Sequence, residues 1–454
     1  MNSPQAKSPP NWTLIGCAVF GLFLCYAILT QRCLYADGSF CLIEVFKKGG
    51  FAAIVDCRSF SAYAFQWPVV LALKLGITNI HWLAFAFGLG CFSVWPVAMF
   101  LCYRMSPPHF WLVTLACGAG YLNTAFMSVG EHIVAHAFFW PALFAILFVR
   151  PLTPFAAVAL MGSTCVLMRS YESMIFLGPL LIALLAWRMV AGKENPRHLA
   201  AMAISMIFLV VSVWVAWEGV RHPNVMNYNG FINGIPKELK HPEWTLQLTV
   251  LWTLLMFATL NPAVAKFLRQ KTGMALMILV VLVWGLWPVI RPDQLDPEAQ
   301  YDCRFLDLLV PLALLPVAVM LAIKSKWLAA QTPDLARLAA LLLLAQSLWH
   351  ASATYEWQKY VRDCQKILAV GNSGPIFPVG FGNFNQPDMS WTNPSMSLMI
   401  GPGHVLAMIM PAHPESWQPF DPFKPSTFPD LKRYGVDYTD YVNTLNREKL
   451  NHDR

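Results

Sequence analysis

The chain has 454 residues, of which 57% are apolar and only 13% charged, and its net charge is +7. A soluble globular chain is roughly 25% charged, so a string of soluble domains is excluded. Repeated apolar stretches of about 17–25 residues, the length that crosses a bilayer as helix, predict an all-α polytopic membrane protein. The Lys and Arg residues sit in short loops between those stretches, where they act as topology signals, and no nucleic-acid footprint follows.

Lys7 precedes an apolar run over 13–30 that is long for a signal peptide and lacks a small-x-small cleavage site, so it is read as an uncleaved first span. Eleven spans are predicted, near 13–31, 81–103, 109–127, 131–149, 153–168, 173–191, 198–217, 246–265, 273–290, 304–323 and 334–352. Basic clusters follow the sixth (Arg188, Lys193, Arg197), the eighth (Lys266, Arg269, Lys271) and the tenth (Lys324, Lys326). With Lys7 inside, alternation puts all three in the cytoplasm together with Arg104 and Arg150, which makes the N-terminus inside and the C-terminus outside. Trp82, Trp140, Trp214, Trp217 and Trp349, at span ends, read as an aromatic belt.

The same alternation sends Asp37, Glu44, Asp56, Arg58, Glu131, His132, Arg169, Glu172, Glu218, Arg221, His222, Asp302 and Arg304 to the outer side. Ionisable groups near membrane depth are costly and mark function by default, so the outer face is the predicted working face. The first outer loop, about 32–80, is too long for a plain connector. Its segments 40–46 and 62–75 mix apolar and polar residues at helical spacing, with Lys47, Lys48 and Lys74 at their ends, as interfacial helices do. Trp67-Pro68 breaks the second of these or starts it. The later outer loop with Asn224, Asn227, Asn229 and Asn233 is explained by turn chemistry.

A transmembrane domain over 1–352 is followed by an outer-face domain over 353–454, rich in Pro, Trp, Phe, Asn and Gly. Its apolar piece 396–410 is too short to span and carries Gly401-Pro402-Gly403 at its centre, which keeps it at the surface. Among the cysteines, Cys33, Cys41, Cys57, Cys303 and Cys364 fall on the outer side, where an oxidising compartment allows one or two disulfides. The others lie in apolar helices as small buried hydrophobes. No CxxC or Cys/His spacing marks a metal site, and no cofactor is identified; the need for a divalent metal is left open.

The long first outer loop with interfacial helices, Ala36-Asp37-Gly38 just after the first span, Glu131-His132 in the second outer loop and a soluble outer C-terminal domain resemble the GT-C superfamily of integral membrane glycosyltransferases. Arg169-Ser170-Tyr171-Glu172 and Tyr301-Asp302-Cys303-Arg304-Phe305-Leu306-Asp307 look similar to stretches in bacterial membrane proteins of this general type. The resemblance implies a multi-pass protein of a bacterial inner membrane that moves a sugar from a polyprenyl-phosphate donor to a lipid or polysaccharide acceptor at the outer face. In that superfamily an acidic pair in the first loop holds the general base. Here a single acid stands, with Glu44 seven residues on, so the resemblance implies Asp37 as base, Glu44 or Asp56 as alternatives, and a second acid at Glu131.

Sugar transfer from a lipid phosphate needs a base for the acceptor hydroxyl, cations for the leaving phosphate and a groove open to lipid. Partial desolvation near the membrane boundary raises a carboxylate toward a useful pKa, which suits Asp37. Capping the following helix, or an Asp-Gly turn, suits it equally. Arg58 and Arg304 are candidate phosphate ligands, because guanidinium binds phosphate bidentately and keeps its charge; Arg304 is also placed to pair with Asp302 or Asp307. Glu131 and His132 begin a helix with His136 one turn on, which fits a metal or acid–base site, with His132 a candidate substrate contact, as well as an ordinary helix start and packed histidines. Arg169 and Glu172 are candidate substrate contacts, or a pair with each other. Two other function classes remain: a transporter or lipid flippase, with its site near the midplane, and a non-catalytic assembly subunit. Spans nearly free of midplane charge and the lack of a two-fold repeat argue against transport.

Overall fold

The structure, a computed structural model, describes residues 12–35, 37–53, 55–122, 130–191, 195–222, 244–259, 261–290, 306–323, 326–370, 374–376, 393–401, 403–410 and 431–452. Helices form where the apolar stretches lie: α1 (Trp12–Leu29), α4 (Ile80–Met105), α5 (Phe110–Ala116), α6 (Glu131–Phe148), α7 (Pro154–Leu167), α8 (Met174–Ala191), α9 (Pro196–Arg221), α10 (Trp244–Ala258), α11 (Pro262–Arg269), α12 (Lys271–Ile290), α13 (Leu306–Ala322) and α14 (Lys326–Val370). The first outer loop supplies α2 (Asp37–Lys48) and α3 (Ser59–Lys74). The C-terminal region contributes α15 (Asn393–Ile400), α16 (Thr439–His452) and a parallel pair, β1 (Gly374–Ile376) and β2 (Ala407–Ile409).

Six described helices have the length and hydropathy to cross a bilayer: α1, α4, α6, α8, α9 and the 331–369 part of α14. The pair α11 and α12, bent by 78°, makes a seventh if it counts as one span. Apart from β1 and β2, the chain is thus an all-α, multi-pass membrane protein. Each predicted segment holds helix, but they differ in length. The segment 246–265 is divided, because Asn261 caps a new helix and Pro262 opens it. By contrast α14 is one helix of 45 residues, about 68 Å at 1.5 Å per residue, roughly twice the thickness of a hydrocarbon core. It runs without a break past residue 352, where the predicted eleventh span ends.

Contacts between helix termini define two ends of the bundle. At one end the N–H groups of Phe60 and Ser61 donate to the Arg169 carbonyl at 3.0 and 3.4 Å, and Arg58 pairs with Glu172. A Cβ on Gly219 would lie 3.0 Å from Cys57 Sγ, so the end of α9 closes on the same place. At the other end Arg188, buried in the last turn of α8, donates to the carbonyls of Ala145, Ile146 (2.9 Å) and Val149 (2.6 Å). These are the orphan carbonyls that end α6. Arg150 lies over Trp187, Arg104 over Phe155, and His109 stacks on Phe148 at 4.0 Å. Arg104, Arg150 and Arg188 therefore share one end, and Glu131 and Glu172, which flank Arg58, lie at the other.

Helices α2 and α3 stand where the first outer loop was read as helical, but α3 does not lie apart in an interface. It packs along α4 as a hairpin joined by residues 75–79, with Gly76 at φ 81° in the turn. The approach is close enough to require glycine: a Cβ on Gly90 would come within 1.8 Å of the Phe65 carbonyl oxygen. Pro68 neither breaks nor starts α3, since it lies inside the helix. Gln66 clamps the preceding loop by accepting from Ala52 N–H (2.9 Å) and donating to the Ala52 carbonyl (2.7 Å).

The apolar piece 396–410 is not a single helix and not a surface element. Its described residues form the end of α15 and β2, and its apolar residues other than Leu406 are mostly buried against α2 and α14. Ser39 and Ser395 hydroxyls lie 3.3 Å apart, Tyr360 donates to Asn393 Oδ1 (2.8 Å), Arg433 donates to the Phe46 carbonyl (2.6 Å), and Tyr434 stacks on Phe46 at 4.5 Å. The C-terminal region thereby covers α2. Of the belt tryptophans, Trp82, Trp214 and Trp217 are exposed, whereas Trp140 and Trp349 are buried in helix packing.

Candidate functional site

Asp37 is the first residue of α2, where a carboxylate is favoured by the helix dipole. Asp37, Cys41 and Glu44, spaced by four and three, share one face of that helix. Asp37 and Glu44 are half-buried, and Glu44 takes Lys47 at 2.7 Å. The neighbour from another element is Glu131, at the start of α6. Burial pushes the Cys41 thiol well above its ordinary value, and the Asp37, Glu131 and Glu44 carboxylates push it the same way. All three candidate acids thus lie within electrostatic reach of one buried thiol. Asp56 is exposed.

Arg58 is buried and already held by protein groups. Its Nε and Nη2 donate to Glu172 at 3.0 and 2.7 Å, Nη1 lies 3.7 Å from Glu131, and the guanidinium sits 4.7 Å above the Tyr171 ring. Burial opposes its charge, but Glu131, Tyr171 and Glu172 outweigh that and hold its pKa above the ordinary arginine value. Glu172 takes Arg58 rather than Arg169. Arg169 is exposed, with Nη1 3.5 Å from Ser59 Oγ. Arg58, Glu131, His132, Arg169 and Glu172 are thereby gathered at one end of the bundle. Arg304 lies outside the described residues, as do Asp302 and Cys303.

The two histidines of α6 diverge. His132 is buried beside Tyr171, ring centroids 5.7 Å apart, at the edge of the ion cluster. His136, one turn deeper, meets Trp95 edge-on at 5.1 Å and belongs to an aromatic layer with Tyr121 and Trp140. Among the described residues no three His, Cys, Asp or Glu side chains are grouped to hold a metal ion. No disulfide forms among them either: Cys33, Cys41, Cys57 and Cys364 are all free thiols.

A second charged cluster carried no sequence signal. Arg32, only 2% exposed, donates Nη1 to the His350 carbonyl (3.0 Å) and Thr354 Oγ1 (2.7 Å), while Nη2 meets His350 Nδ1 at 3.2 Å. Guanidinium can only donate, so Nδ1 accepts and Nε2–H donates to the Leu122 carbonyl, which fixes the tautomer. The cluster ties the link between α1 and α2 to α14. In the sequence each residue stands at a span end, like an ordinary interface charge.

No protein-family model, curated protein or solved structure matches the chain. What the site can do rests on its own groups. Glu172 and Glu44 are committed to direct ion pairs, while Glu131 only flanks Arg58, and Asp37 stands at a helix start under the C-terminal region. Carboxylates are groups that can accept a proton from a hydroxyl brought within hydrogen-bond reach.

Proposed function

We propose that the chain is a GT-C-type membrane glycosyltransferase, taking a sugar from a polyprenyl-phosphate donor to a lipid or polysaccharide acceptor at the outer face of a bacterial inner membrane. The observation that carries this reading is the gathering of Glu131 and Glu172 about the buried Arg58, at the end of the bundle away from Arg104, Arg150 and Arg188. In this reading Asp37 takes the acceptor's proton. Arg58, held between Glu131 and Glu172, positions the acids. The exposed Arg169 is the described cation offered to the leaving phosphate, and Arg304, outside the described residues, is the second candidate. Eleven spans with the N-terminus inside belong to the same proposal, since that count puts the basic end in the cytoplasm.

The test is transfer by the full chain, reconstituted with a polyprenyl-phosphate sugar. Asp37→Asn should abolish transfer while expression and melting stay unchanged; full activity in that variant removes Asp37 as base. One observation favours a second reading, a non-catalytic assembly subunit: Arg58 is taken up by two carboxylates instead of standing open to a phosphate. That reading expects no transfer by the wild-type chain with any such donor.

A further inference from the structure

The basic end of the bundle carries a helix with no part in the acidic site. Helix α11 starts at Asn261, whose side chain accepts from Ala263 N–H at 2.9 Å, and meets α12 at 78°. The corner is set by backbone contact, because a Cβ on Gly273 would come within 2.2 Å of the Phe267 carbonyl oxygen. Helix α12 is apolar and exposes Leu276, Leu279 and Leu286, as a lipid-facing span does. A helix nearly perpendicular to it lies close to the bilayer plane.

The faces of α11 divide accordingly. Ala265 and Leu268 are buried against the bundle, Phe267 is exposed, and Lys266 and Arg269 are exposed, with Lys271 next in the chain. Arg269 donates through Nε (3.1 Å) and Nη2 to the buried Asp334 of α14, and Arg337 lies 3.8 Å from the same carboxylate. The helix is therefore pinned to the bundle, while its cations outnumber the one acid they share. Amphipathic helices of this kind sit at the boundary of headgroups and acyl chains, and lysines there are drawn to anionic lipid.

We propose that α11 is a binding surface for anionic phospholipid headgroups. Lys266 and Lys271 reach the phosphates, Phe267 enters the acyl boundary, and the Arg269–Asp334 pair holds the helix at that depth. The inference is independent of the transferase reading.

The experiment places the full chain in nanodiscs of phosphatidylcholine with and without phosphatidylglycerol. Native mass spectrometry reads bound phosphatidylglycerol, and hydrogen exchange reads the amides over 263–269. The wild-type chain should retain phosphatidylglycerol over phosphatidylcholine, and its α11 amides should exchange more slowly in the anionic discs. Lys266→Gln with Lys271→Gln should weaken phosphatidylglycerol binding about 25-fold, at about five-fold per lysine, whereas Lys74→Gln on α3 should leave it unchanged. Unchanged lipid binding in the double variant overturns the proposal. So does identical α11 exchange of the wild-type chain in both discs, a measurement that needs no variant to fold.

Discussion

Arg58 and Glu172, 114 residues apart in the chain, meet in a forked pair in which Nε and Nη2 donate to one carboxylate at 3.0 and 2.7 Å. With Glu131 on the guanidinium's other edge, one cation joins the loop before α3 to the starts of α6 and α8. Removing one partner of a buried pair costs about 3–5 kcal/mol, whereas replacing both with apolar groups is far milder. Arg58→Met is expected to lower the melting temperature of the solubilised protein clearly, and Arg58→Met with Glu172→Leu to recover much of the loss. Equal melting of the single and double variants would count against the pair as the organising contact.

Gly90 is the position where α3 touches α4 through backbone. Gly90→Ala should destabilise by at least about 1–3 kcal/mol, as overpacking does, because the Phe65 carbonyl in its way is not a flexible side chain. Gly21→Ala is the control: nothing lies within 4 Å of its Cβ position, and alanine favours helix by about 1 kcal/mol. Folded yield and melting of the two variants should move in opposite directions.

The described cysteines are free, so alkylation under denaturing conditions without reductant should modify at least ten of the eleven. Intact mass decides this directly, and a lower count means a disulfide. In the native protein Cys57 should label slowly at neutral pH, because burial and the Glu172 charge hold its pKa up and keep the thiol protonated. Its rate should rise as pH climbs through that raised pKa. Glu172→Gln should increase the rate at fixed pH, and an unchanged rate would remove Glu172 as a cause.

Arg32 and His350 should couple energetically. Residues in one hydrogen-bonded network show interaction energies of about 0.5–3 kcal/mol in double-mutant cycles. Arg32→Met, His350→Leu and the double variant, compared by melting, should be non-additive. Additive losses would mean that the 3.2 Å contact between Nη2 and Nδ1 contributes nothing.

The candidate site was legible where chain alternation alone could sort charges. Arg58, Glu131, His132, Arg169 and Glu172 were grouped on one side from their order between apolar stretches; Arg58, Glu131 and Glu172 meet at one end of the bundle, with His132 beside Tyr171 and Arg169 beside Ser59. Their pairing was not legible. Arg169 and Glu172 are three apart, a spacing that favours a local pair, yet Glu172 turns to Arg58 on another element. Cysteine positions likewise allowed disulfides that do not form among the described cysteines.

Hydropathy along the chain was sufficient to determine a helical membrane protein, the approximate place of each apolar helix and the segregation of acids from basic loops, because those properties depend on local composition and on the bilayer's thickness. The packing of α3 on α4, the burial of 396–410 against α2 and α14, the course of α14 past residue 352 and the Arg32–His350 link came from contacts between distant segments. Such contacts follow from shape and from pairing of buried polar groups, and neither is written in the order of residues along any one helix.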